Sequence, residues 1–113
     1  MNQDKLVVVW LSCDKRAAYD MAMLYARDSL LAGWFSEVEL IIWGPTVNEV
    51  IINADCMTQM ELLRGVGVEI NACLACARLY GVVDQLVENG IPCLPMGERL
   101  TQHLKDRTPI MII

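Results

Sequence analysis

In the stretch Lys5-Leu-Val-Val-Val-Trp-Leu11 the lysine is followed by an unbroken apolar run, β-branched at its centre, that ends abruptly in the polar Ser12-Cys13-Asp14. A strand with one wet face would alternate apolar and polar residues. A continuous run instead predicts a strand buried on both faces, the pattern of a parallel sheet. Residues 14–32 then read as a helix stopped by Gly33, with Arg16, Asp20 and Arg27 on a polar stripe that Met23 interrupts. Most of its other positions are apolar, among them Ala17, Ala18, Met21, Ala22, Leu24, Tyr25 and Leu31, which predicts burial against more than one neighbour.

The same alternation continues to the end of the chain. Glu37-Val-Glu-Leu-Ile-Ile-Trp43 reads as a second strand, closed by Gly44-Pro45, where proline suits the first turn of a helix. Residues 46–64 look helical with an interruption near Asn53 to Cys56, and Gly65-Val-Gly67 turns the chain into a third strand over 68–72. A helix is expected from Cys73 to Tyr80, a second short one after Gly81, and a short strand over 91–94 limited by Pro92 and Pro95. Residues 96–105 read as a helix and 108–113 as a last strand. The architecture implied is α/β: one domain over 1–113, three layers (α/β/α), with a parallel sheet of about five strands and helices on both faces.

Composition bounds the function. The chain has 113 residues, a net charge of -5 and no basic run, which argues against a nucleic-acid partner. The longest apolar run near the start is six residues, far short of a membrane span, and no signal peptide is recognised. Five cysteines, an odd number, fit free thiols in a reducing, cytoplasmic setting. A mean hydropathy of +0.37 is high for so small a domain and points to apolar surface covered in a homo-oligomer. There is no G-x-G-x-x-G, no Walker lysine loop and no serine nucleophile elbow, so nothing calls for a nucleotide or another cofactor.

In an open parallel sheet, ligands bind beyond the carboxyl ends of the strands. Cys13, Cys73 and Cys93 are expected there. Cys73 is the sharpest candidate, because a strand delivers it to a helix start, where backbone N–H groups favour a thiolate. Cys76 follows at C-x-x-C spacing and could close a disulfide or relay sulfur. Both could equally be small buried hydrophobes. One C-x-x-C supplies two of the four ligands of a structural zinc site, and no second pair exists, so no metal is expected. His103, among Gln102, Lys105 and Asp106, reads as a solvated surface histidine. Trp10, Trp34 and Trp43 read as packing residues.

The segment Ile70-Asn-Ala-Cys-Leu-Ala-Cys-Ala-Arg-Leu-Tyr-Gly-Val82 resembles that of DsrE/DsrF-like (DsrEFH-like) sulfur-relay proteins, in which a strand ends in the reactive cysteine. Cys73, Gly81 and Val82 match that pattern. Cys76 stands where the sulfur-transferring branch often carries alanine. Val38-Glu-Leu-Ile-Ile-Trp-Gly-Pro45 and Met96-Gly-Glu-Arg-Leu-Thr-Gln-His-Leu-Lys105 resemble the family's second strand and last helix, whereas Ser12-Cys13-Asp14 departs from its first turn. The resemblance implies a trimer or hexamer. It also implies a sulfurtransferase-like carrier whose Cys73 holds sulfane sulfur as a persulfide, exchanged with a donor or acceptor protein. The alternatives are a thiol–disulfide redox protein using Cys73 and Cys76, and a non-enzymatic oligomeric ligand-binding module.

Overall fold

A computed structural model describes residues 4–113. Strands β1 (Lys5–Trp10), β2 (Glu37–Ile42), β3 (Glu69–Cys73), β4 (Cys93–Leu94) and β5 (Ile110–Ile112) form one parallel sheet in the order β4-β3-β2-β1-β5. Between them run a π-helical stretch (Ala17–Met23) and the helices α1 (Leu24–Leu31), α2 (Thr46–Ile52), α3 (Ala54–Gly65), α4 (Leu74–Tyr80), α5 (Val83–Glu88) and α6 (Met96–Lys105). The three-layer α/β/α architecture is the one the alternation implied.

Side-chain parity divides the core. Leu6, Val8 and Trp10 of β1, Val38, Leu40 and Ile42 of β2, and Ile70 and Ala72 of β3 join the large cluster with residues of the π-helical stretch and α1 to α5. The alternate residues Val7, Val9, Ile41 and Cys73 face the other way, into a small cluster completed by Met96 of α6. The layers are therefore unequal: one face lies under the bulk of the helices and the other under α6 alone.

Local chemistry explains most boundaries. Asp14 Oδ1 accepts hydrogen bonds from the N–H groups of Arg16 and Ala17, capping the first helical segment. The π turns that follow change the angular step per residue, so Met23, which a regular helix would place on the polar stripe, is buried with Ala18 and Ala22. Asn53 is extended (φ -117°, ψ 105°) and its side chain accepts from the Asp55 N–H, which ends α2 and starts α3. Helix α4 ends at Gly81, whose φ of 70° is left-handed and favours glycine. Strand β4 is only two residues long, since Pro92 and Pro95 flank it; β3 begins at Glu69 and β5 at Ile110, each later than the apolar pattern suggested. Among the described residues no helix is long and apolar enough to cross a membrane.

Candidate functional site

The carboxyl ends of the strands gather the expected thiols. Cys13 is exposed in the loop after β1, Cys73 ends β3, and Cys93 lies half-buried in β4. Thr46 braces this edge: its hydroxyl is placed between the carbonyl oxygens of Trp10 and Trp43, at 2.8 and 2.9 Å, and so ties the ends of β1 and β2 to the start of α2. Cys56 is buried in the first turn of α3, its Sγ 3.4 Å from the Tyr19 hydroxyl and near enough to Cys13 that, after burial and Glu49, it helps to push that thiol up. All five thiols are free.

Cys73 and Cys76 are brought together as their spacing implied. Cys73 is the N-cap residue of α4 and Cys76 lies in the helix's first turn, half-buried, with its thiol beside that of Cys73. The electrostatics differ from the sequence expectation. Burial pushes the Cys73 thiol up, and the backbone N–H groups of Cys76 and Ala75, although directed at the sulfur, do not offset it. Cys73 is only 4% exposed and no capping hydrogen bond is closed. The resting group is therefore a protonated thiol rather than a helix-stabilised thiolate. Burial wins because Cys73 is packed in the small cluster that Met96 of α6 completes.

A second constellation lies on the same face of the sheet, toward the amino ends of the strands. Glu39 of β2 has no exposed side-chain surface and is surrounded by partners. Arg99 Nε donates to its Oε2 at 2.6 Å, Asn71 Nδ2 to the same oxygen at 2.8 Å, and His103 Nε2 to Oε1 at 3.0 Å, with Lys5 Nζ 3.3 Å from Oε1. Arg99 also reaches Glu69 at 2.6 Å, and Asn71 donates to that carboxylate too. Burial alone would raise the Glu39 pKa, yet the hydrogen bonds from Arg99 and Asn71 and the charges of Arg99 and Lys5 hold it below the usual carboxylate value. His103 is thus not the solvated surface residue its polar neighbours suggested. It points inward, with a side chain 12% exposed, because α6 has one face on the sheet and Glu39 waits beneath it.

A surface cavity of about 480 Å³ runs along the flank of α6, with Leu94, Arg99 and His103 in its wall. It lies beside the Glu39 network rather than at the thiols, although Leu94 is the ladder neighbour of Cys73. Among the described residues no three His, Cys, Asp or Glu side chains are grouped to hold a metal ion.

No family model matches the chain, and no curated protein matches it. Among solved structures it is similar to a conserved protein of unknown function from Bacteroides thetaiotaomicron, with 31% identity over 97% of this chain and 95% of that one and a TM-score of 0.93.

Proposed function

The chain belongs to the same family as the Bacteroides thetaiotaomicron protein, and within that family we propose that it is a sulfur carrier in which Cys73 holds sulfane sulfur as a persulfide. The observation that carries this reading is the strand-end thiol itself. Cys73 sits at the carboxyl end of a parallel strand with a second thiol beside it and two backbone N–H groups directed at its sulfur. The resemblance of residues 70–82 to DsrE/DsrF-like sulfur-relay proteins supports the same residue.

The step is a thiol exchange. Once uncovered, Cys73 loses its proton and attacks the outer sulfur of a donor persulfide, R–S–SH. The donor S–S bond breaks, RS⁻ leaves and takes up a proton, and Cys73 keeps the sulfane sulfur as Cys73–S–SH. Transfer to an acceptor thiolate is the same exchange in reverse. The Ala75 and Cys76 N–H groups are placed to stabilise the anion formed at each stage. Five free thiols fit a reducing compartment such as the cytoplasm.

The proximity of Cys76 favours one rival, a dithiol–disulfide cycle between Cys73 and Cys76. Intact mass spectrometry of reduced protein exposed to polysulfide separates the two. The carrier reading expects a gain of one sulfur atom in the parent and in Cys76→Ser, and none in Cys73→Ser. Loss of two hydrogens, abolished by either substitution, refutes it in favour of the disulfide. We further propose self-association as a trimer or hexamer, supported by Leu31, Trp34, Leu62 and Leu79, each 60% exposed or more. Light scattering that returns a monomer refutes it.

A further inference from the structure

We propose that α6 is a lid over Cys73, latched to the sheet through Glu39. This rests on the reading of Cys73 as the reactive thiol and adds how access to it is controlled.

Trp43, Cys76 and Leu94 pack partly buried around the cluster of Cys73, and its fully buried cover comes from one place. Of the five buried residues in its cluster, Val7, Val9, Ile41 and Cys73 belong to the sheet, and Met96, the first residue of α6, is the sole one from outside it. Leu94 and Leu100, on either side of Met96, pack against the cluster only partly buried. No other residue of α6 is buried, and the cavity along its flank leaves that side unbraced. Apolar packing therefore gives this helix a weak hold.

The polar hold is correspondingly concentrated. Among the described residues, every side-chain hydrogen bond from α6 to the sheet ends on Glu39 or Glu69. Arg99 and His103, one helical turn apart, both close on Glu39, which Lys5 and Asn71 fix from the sheet. Removing the charge of Glu39 deprives four groups, Lys5, Asn71, Arg99 and His103, of their shared carboxylate and frees α6 to lift, which uncovers Cys73. Segments with few buried apolar contacts open locally at lower free energy than the whole domain. The opposite layer stays in place, because its packing involves none of these residues.

Cys56 gives an internal control, since it is equally buried but lies in the large cluster on the other face. Reduced parent, Glu39→Gln and Met96→Ala proteins are alkylated with iodoacetamide in native buffer, and the Cys73 and Cys56 rates are read separately from fragment ions. Each variant is expected to speed Cys73 at least about tenfold while Cys56 stays within about twofold of the parent. An unchanged Cys73 rate in Glu39→Gln overturns the latch, and an unchanged rate in Met96→Ala overturns the lid. A parallel rise at Cys56 means the whole domain has loosened and overturns both. Failure of Cys73 to take up sulfur refutes the carrier reading and leaves these rates as they are.

Discussion

Arg99→Met is the substitution that most directly weighs the network under α6. The arginine makes two charge-assisted hydrogen bonds, to a fully buried carboxylate and to Glu69, whose side chain is 51% exposed. Breaking a buried pair by removing one partner costs about 3–5 kcal/mol, because the surviving charge is stranded. Here Glu39 keeps Lys5, Asn71 and His103, and the Arg99 side chain is itself 31% exposed, so the loss belongs below that range. The Glu69 contact, at the surface, adds no more than about 1 kcal/mol. We expect a net loss of roughly 2–3 kcal/mol. With a urea slope of about 1.5 kcal/mol/M for a domain of this size, the unfolding midpoint falls by roughly 1.3–2 M at unchanged slope. Combined with Glu39→Gln, the two losses are expected to fall short of additivity by at least about 1 kcal/mol, since both remove the same contact. A loss under about 0.5 kcal/mol, or additive losses, would show that the buried carboxylate is held by its other partners and that Arg99 is incidental.

Acid weakens the fold through the same group. The folded-state pKa of Glu39 is depressed, so its contribution is complete above the ordinary 4.5 and is lost as pH falls through the depressed value; Lys5 and Arg99 are the cations facing it, and Asn71 and His103 the hydrogen-bonding groups. The urea midpoint of the parent should drop on acidification below 4.5, with a shallower drop in Glu39→Gln; equal slopes would contradict the assignment. Gly81→Ala meets no atom within 4 Å, so its cost is conformational only, about 1 kcal/mol for a left-handed residue, readable in the same titration. Asn53→Ala removes the cap of α3 and should cost about 1 kcal/mol, whereas Asn53→Asp, which keeps the acceptor, should cost much less. Because burial raises the Cys73 thiol, its alkylation rate should go on climbing above the ordinary thiol value of 9.0; a plateau near neutrality would mean a stabilised thiolate after all.

The strands were legible in the sequence because apolar runs bounded by glycine and proline mark their places in an alternating α/β chain, and because Asn53 announces its helix break through a short polar side chain. The π turns were not. Nothing in Ala17–Met23 marks a change of winding, and Met23 looked misplaced because a regular helical period was applied to it. The Glu39 network was missed for a different reason. Glu39 lies within the apolar run 37–43 and Glu69 within 68–72, and a run scored for its apolar residues hides a single charge. Yet a strand buried on both faces cannot leave Glu39 solvated, and its ladder neighbour Glu69 has the same parity. A buried carboxylate demands donors, and Arg99 and His103, four residues apart on α6, supply them. The same oversight misplaced His103 at the surface.

The unequal layers follow from chain order. The steps β1 to β2 to β3 to β4 move one way across the sheet, and the last step returns past all of them to place β5 beside β1. Crossovers of constant right hand put helices from opposite directions of travel on opposite faces, so the single return step supplies a single helix to the second face. Residue parity then decides what lies beneath it. Glu69, Asn71 and Cys73 alternate along β3 and share that face, so the strand that delivers the thiol to the sheet edge also delivers two members of the network that holds its cover. Shifting β3 by one residue would turn Cys73 under the thick layer and carry Glu69 and Asn71 there with it, away from Arg99 and Glu39. The thiol and two partners of the network thus share one register, and a substitution that moves it should displace all three side chains together.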